Sequence, residues 1–275
     1  MKLKIISLEN TVVGEKDLPS QFNEQVRADL IKRAVHALQA NRRQPYGASK
    51  DAGKRHSAYL SKRRRNYRGT YGIGQSRTPR KVLSRRGSRL FYVGAFAPQT
   101  VGGRGAHPPK AEKIWLKKIN KKERKKAIRS AIAATIIKEV VTARGHIVPN
   151  NYPFIIENKI EDINKTKQLK NILEKIGLKE ELARATIKKV RAGKGKLRGR
   201  KYKKKKSVLL VVSKECNLLN SGKNIPGVSI VKVNKLNAEI LAPGAMPGRL
   251  TLWSKDALDI LEKNKLFVWK WTHTK

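Results

Sequence analysis

Val-Leu-Leu-Val-Val at 208–212, Val-Ser-Ile-Val-Lys-Val at 228–233 and Leu-Thr-Leu-Trp at 250–253 are three short β-branched or apolar runs. They alternate with turn and helix signals, and Phe-Ile-Ile at 154–156 precedes them. This alternation predicts an α/β fold: a mostly parallel sheet with flanking helices, a Rossmann-like three-layer globular domain. No period of 20–50 residues repeats, which argues against a solenoid.

The helices are read outward from those runs. Residues 22–40 place Phe22, Val26, Leu30, Ala34 and Leu38 on one stripe, predicting a helix there. Asn120 with Glu123 resembles a capping box opening a second helix, with Ile128, Ile132, Ile136 and Val140 at i+4 spacing. Its first turns display Lys121, Lys122, Arg124, Lys125, Lys126 and Arg129. Thr166 is expected to cap a third, carrying Leu169, Ile172, Leu173 and Ile176 inward and stopped by Gly177.

The chain of 275 residues holds 64 Lys+Arg against 20 Asp+Glu, a net charge of +44. Such an excess repels itself in any compact fold and attracts polyanions, which narrows the partners to nucleic acids and acidic membrane surfaces. Cys216 is the single cysteine, so no disulfide or cysteine-built metal site forms within the chain, as suits a reducing compartment. The N-terminus lacks a signal-peptide core, and no window approaches the ~18 apolar residues of a membrane span. A soluble, cytoplasmic protein is expected.

The charge is uneven. Residues 1–41 carry 6 basic and 5 acidic residues, whereas 42–110 carry 18 basic residues and one acid, Asp51. Residues 111–206 carry 30 against 9, and 207–275 carry 10 against 5. Within 42–110 only 9 of 69 residues are Leu, Ile, Val or Phe, below the ~20% that supports collapse. The same stretch holds 10 of the 20 glycines and 7 of the 16 aromatics, namely Tyr46, Tyr59, Tyr67, Tyr71, Phe91, Tyr92 and Phe96. No helical or strand period persists there. Rings interleaved with arginine suit bases, which stack on both. The expected organisation is a globular α/β domain from 1–41 and 111–275, with 42–110 inserted as an extended loop that orders on RNA. A second basic stretch, 190–206, has 10 basic residues among 17 and no acid.

Catalytic signatures are missing. Gly72-x-Gly74 and Gly193-x-Gly195 complete neither a dinucleotide nor a P-loop fingerprint. His36, His56, His107, His146 and His273 share no metal-ligand spacing, so no metal or cofactor is expected. Glu161-Asp162 and Glu180-Glu181 read as solvated acids at helix starts rather than a catalytic set. The basic stretches are therefore the candidate site. The expected RNA-binding residues of the first are Arg42, Arg43, Lys62, Arg63, Arg64, Arg65, Arg68, Arg77, Arg80, Lys81, Arg85, Arg86, Arg89, Arg104, His107 and Lys110. Those of the second are Arg191, Lys194, Lys196, Arg198, Arg200 and Lys201, ahead of the run Lys203–Lys206. RNA is preferred to DNA because no DNA-reading helix motif is visible, and a membrane surface would need an amphipathic helix with bulky anchors. A free nucleic-acid compaction protein and an RNA-processing enzyme remain as alternatives. The first would need no unique RNA site; the second would need converging acids.

The blocks Arg-Gly-Thr-Tyr-Gly-Ile-Gly-Gln-Ser-Arg-Thr-Pro-Arg-Lys at 68–81 and Pro-Gln-Thr-Val-Gly-Gly-Arg-Gly-Ala-His-Pro-Pro-Lys at 98–110 resemble the central extension of large-subunit ribosomal protein 4. Asn41–Gly47, Val190–Lys196, Asn224–Val228, Leu241–Gly244 and Pro247–Leu250 extend the similarity over essentially the whole chain. Its length resembles the archaeal rather than the eukaryotic type. The resemblance implies a non-enzymatic structural protein that binds and organises large-subunit ribosomal RNA. It also implies neighbouring large-subunit proteins as partners, among them one across the nascent-peptide exit tunnel, and the nascent polypeptide itself. The tunnel-lining tip corresponds to Tyr71, Gly72, Ile73, Gly74 and Gln75, and many members have Thr-Gly-Arg where this chain has Ile73-Gly74-Gln75. That departure implies a positive charge at the tunnel wall that is either reduced or displaced to Arg77.

Overall fold

A computed structural model describes residues 1–66, 69–87 and 89–269. Two compact units divide the chain: Met1–Arg42 with Leu116–Lys275, and Arg43–Trp115. The first unit opens with β1 (Lys2–Ile6), β2 (Val12–Asp17) and α1 (Ala28–Asn41). The second holds β3 (Arg80–Arg86) and β4 (Arg89–Gly94). The first then resumes with α2 (Lys121–Ala133), α3 (Lys138–Ala143), β5 (Ile155–Ile156), α4 (Thr166–Leu173) and α5 (Lys179–Thr186). After these come β6 (Lys188–Val190), β7 (Tyr202–Lys204), β8 (Leu209–Val212), α6 (Leu218–Ser221), β9 (Ser229–Lys232), α7 (Ala238–Leu241), β10 (Thr251–Ser254) and α8 (Lys255–Lys263).

The main sheet runs β2-β1-β5-β10-β8-β9, parallel throughout except for the antiparallel edge pair β1–β2. β8 and β10 are buried along their full length, as parallel strands covered on both faces require. Side chains alternate between two cores. Leu209, Val211, Trp253, Ile155 and Ile5 meet α1, α2, α7 and α8, while Leu210, Val212, Leu252, Ile156 and Ile6 meet α3 to α6. Phe22 meets Trp253 edge-on, with ring centroids 5.2 Å apart, a geometry worth roughly 0.5–1.5 kcal/mol beyond area burial.

Several local expectations are corrected. The helix expected over 22–40 is a 3-10 turn at Ser20–Asn23 followed by α1. Between them the Arg27 amide donates to Ser130 Oγ at 2.6 Å, and Glu24 receives Arg129 at 2.7 Å, so tertiary partners hold that backbone out of a helix. The stripe through Ile136 and Val140 is split into α2 and α3. At the break the Thr135 hydroxyl turns back to the Ile132 carbonyl at 2.7 Å, and Tyr152 donates to the Thr135 carbonyl. Asn120 occupies the N-cap without a side-chain cap bond, and the Glu123 carboxylate, which would complete the box by accepting from the Asn120 N–H, pairs with Arg33 at 3.2 Å instead. Thr166 is the first residue of α4, not its cap. Gly177 does end that run, with φ at 92°.

The segment 80–94 was expected to lack a strand period, yet it forms the β3–β4 hairpin. Nothing beneath the hairpin is a core: β4 alternates between exposed and half-buried positions, so its period is not written in apolar contrast.

Candidate nucleic-acid interface

In the unit Arg43–Trp115, the buried residues among those described are Ala95, Ala97 and Ser61. Backbone hydrogen bonds do the shaping. Ala48 donates to the Pro109 carbonyl at 2.9 Å, Arg104 to Phe96 at 3.1 Å and Ala95 to Pro79 at 2.9 Å, zipping the outgoing and returning limbs. Where limbs meet, Gly53 faces the Gly103 carbonyl so closely that any Cβ would overlap it.

None of this unit's Lys or Arg side chains lies within ion-pair distance of a carboxylate among the described residues, in contrast to twelve pairs among the described residues elsewhere. Arg42, Arg43, Lys62, Arg63, Arg64, Arg65, Arg77, Arg85, Arg86, Arg89, His107 and Lys110 are exposed, while Arg80, Lys81 and Arg104 are half-buried. Arg68, like Tyr67 and His273, lies outside the described residues. Arg42 belongs to the first unit and pairs with Glu239 at 2.5 Å. Several guanidinium groups lie over the chain's own rings. Arg43 sits 3.7 Å from the Trp115 centroid, Arg77 4.7 Å from that of Tyr71 and Arg89 5.2 Å from that of Phe91. Gly72 and Gly74 adopt φ of 79° and 67°, and the segment from Gly72 to Gln75 is exposed, with Tyr71 half-buried.

The second basic stretch folds as the β6–β7 ribbon. Its register sets Lys188 opposite Lys204 and Lys189 opposite Lys203, like-charged pairs that disfavour the ribbon unless an anion lies across it. Arg191 is half-buried and committed to the turn: its amide donates to the Lys201 carbonyl at 2.8 Å and its Nε to the Arg200 carbonyl at 3.0 Å. Lys194, Lys196, Arg198, Arg200, Lys201 and Lys203–Lys206 are all exposed.

Two acids expected to be solvated are buried hubs. Glu161 accepts from the Ser213 amide at 2.8 Å and from the Ser213 and Ser254 hydroxyls at 2.6 Å each. Glu181, fully enclosed, binds Arg184 through both oxygens at 2.7 and 2.6 Å, lies 2.8 Å from His146 Nδ1, and accepts from Ile147 N–H and the Ser207 hydroxyl. Burial alone would raise the Glu181 carboxyl, but the bonds from Arg184 and His146 hold it down at about 2. Asp162 and Glu180 are exposed, as expected. The pairs misled because, Arg184 apart, the partners that bury one member of each come from residues 26 to 93 positions away.

Arg249 escaped the sequence reading too. It is 2% exposed and donates to the Ser207 and Ile240 carbonyls at 2.9 and 3.0 Å and to the Ser229 hydroxyl at 2.8 Å. Its partners are all neutral. Burial and the neighbouring Arg144 bring it down to about 10. Arg144 likewise donates to carbonyls, of Pro243, Met246 and Pro247, and is lowered by burial and by Arg184. Among the described residues no group of His, Cys, Asp and Glu is arranged to hold a metal ion, and no helix is long and apolar enough to cross a membrane.

The comparisons with known proteins agree with one another. The ribosomal protein L4/L1 family matches residues 16–264. The large ribosomal subunit protein uL4 of Nanoarchaeum equitans is 50% identical over 268 residues, 97% of this chain and 100% of its own length. The proteins of the same name from Archaeoglobus fulgidus and Methanothrix thermoacetophila are 46% and 45% identical, over 95% and 96% of this chain and 98% and 99% of theirs. A match of this length and identity, on an α/β sheet interrupted by an acid-poor basic unit, leaves one conclusion: the chain belongs to the ribosomal protein L4/L1 family, in its archaeal type.

Proposed function

We propose that the protein is a structural, non-enzymatic component of the large ribosomal subunit that binds and organises its RNA. The observation that carries this is the unit Arg43–Trp115, whose cations have no carboxylate partners among the described residues and whose interior is two alanines and a serine. A unit with so little core and so much unopposed charge needs an external polyanion to complete it. The relatives carry the name large ribosomal subunit protein, which supports the reading that this polyanion is ribosomal RNA.

In this reading residues 42–110 are the RNA-embedded insertion of the globular domain, and the arginines of its limbs meet phosphates, which positions the unit without reading sequence. The ribbon of residues 190–206 provides the second contact. Tyr71–Gln75 lines the nascent-peptide exit tunnel, facing the nascent chain and a second ribosomal protein across the lumen. Its backbone, with two residues at positive φ, lies flat where side chains would intrude. The protein then resides in the cytoplasm on large subunits. The test is sedimentation of the endogenous protein in high salt, where it is expected to travel stoichiometrically with large subunits; a free pool at the top of the gradient would defeat the proposal. Deletion of Gly72–Gln75 is expected to leave assembly intact and alter nascent-chain pausing.

A further inference from the structure

A cavity of about 550 Å³ lies in the first unit, lined by α5, the β6–β7 ribbon and the loops at Arg144 and Pro243–Met246. Pockets of this size take small ligands. Its walls are of two kinds. One is cationic: Arg144, Arg184, Lys189 and the run Lys203–Lys206. The other is apolar: Ile187, Pro243 and Met246, with Ile187 53% and Met246 64% exposed.

Among the described residues that line it, no carboxylate competes with an incoming anion for these cations. Glu181 is the acid beneath this wall, and both its oxygens are taken by Arg184, His146, Ile147 and Ser207. Behind Arg144 stands Arg249, whose partners are all neutral. The register of the ribbon adds Lys189 opposite Lys203. The cavity therefore gathers positive charge, which an anion would relieve. Beside that charge it offers uncovered aliphatic and thioether surface, Arg144 itself donating to the Pro243 and Met246 carbonyls, and inorganic phosphate cannot cover such surface. A ligand that answers both has a flat apolar face joined to a phosphate.

We propose that this cavity holds one unstacked nucleotide of an RNA strand, its base against Ile187, Pro243 and Met246 and its phosphates on Arg144 and the lysines of the ribbon. Bases splayed from single-stranded loops and bulges are what proteins grip in this manner. The inference rests on the reading that residues 190–206 face RNA, and adds to it a pocket and a kind of RNA feature.

The test uses the full-length protein and four probes: adenosine 5′-monophosphate, inorganic phosphate, an RNA hairpin with a single-nucleotide bulge, and the same hairpin fully paired. Titration calorimetry is expected to give at least tenfold tighter binding of the monophosphate than of phosphate, and at least fivefold preference for the bulged hairpin. The variant carrying Ile187→Ser and Met246→Ser changes exposed positions and should fold normally, which circular dichroism checks. It is expected to lose both preferences while binding phosphate and paired RNA as before. Equal binding of the two hairpins, with the usual salt dependence, overturns the nucleotide site and leaves RNA binding standing. Binding of the monophosphate without a bulge preference overturns it as an RNA site. Failure to bind either hairpin overturns the RNA reading itself.

Discussion

Arg184 and Arg64 carry the same guanidinium and are treated in opposite ways. Arg184 forks onto an enclosed carboxylate in a unit whose two cores sandwich a six-stranded sheet. Arg64 stands exposed in a unit with two buried alanines, a buried serine and no acid within reach among the described residues. The first unit resolves its electrostatics internally. The second leaves them open, and its shape comes from backbone hydrogen bonds and close glycine contacts. A chain that compensates Glu161 and Glu181 so fully in one place leaves the cations of the unit Arg43–Trp115 unopposed among the described residues, which is what the proposed RNA contact would answer.

The largest effect expected from this contrast is on RNA affinity. With six to ten phosphates neutralised, binding to a ribosomal RNA fragment should weaken roughly 10³–10⁵-fold between 50 and 200 mM salt. Neutralising Lys203–Lys206 should reduce the slope of log affinity against log salt by up to about 3, as should neutralising Arg63–Arg65 with Lys62. An unchanged slope after either replacement would remove that stretch from the interface.

Next comes the buried hub. Glu181→Ala strands Arg184 and is expected to destabilise the protein by about 3–5 kcal/mol in urea unfolding, whereas Arg64→Ala should cost less than about 0.5 kcal/mol. Comparable losses at both positions would erase the contrast. The hub also has a pH signature. Its folded-state carboxyl sits at about 2 against an ordinary 4.5, so its contribution is complete above pH 4.5 and is lost as the pH falls through 2. Glu181→Gln should flatten stability against pH in that window, which acid titration followed by circular dichroism measures.

A smaller, local effect is expected in the arm. Gly53→Ala puts a Cβ onto the Gly103 carbonyl at a residue with φ of 72°, costing about 1–2 kcal/mol in backbone conformation before the overlap is counted. Amide exchange at Ala48 and Arg104 should quicken while that of β8 stays as it was. Smallest is a cap: Asn237 accepts from the Ile240 amide at 2.9 Å, and Asn237→Ala should lower stability by about 1 kcal/mol.

Much of the sheet was legible because β5, β8, β9 and β10 are short apolar runs that need no partner to be recognised. β1 and β2 were missed: their runs mix Lys, Glu and Gly, and only pairing with each other and β5 makes them strands. The basic stretches were legible as composition. Their environment was not, since the pairing of Lys189 with Lys203 depends on ribbon register, and the neutral cage of Arg249 on carbonyls supplied by residues up to 42 positions away. The local signal Asn120–Glu123 located the helix start but not the box, since the Glu123 carboxylate is taken by Arg33 from 90 positions away.

Trp115 stacks on Tyr46 with centroids 5.9 Å apart and carries Arg43 and Lys113, 3.7 and 4.5 Å from its centroid. It is the one tryptophan between residues 43 and 115. An arginine already lying on an indole has surrendered part of its hydration and its rotational freedom before any RNA arrives. Transfer of that guanidinium to a phosphate or base is then an exchange of partners rather than a capture from water, so the heat released should be modest. The indole it leaves changes its surroundings at the same moment. Under the proposed RNA contact, Trp115, one of the chain's four tryptophans, should therefore contribute a change in emission when the unit engages.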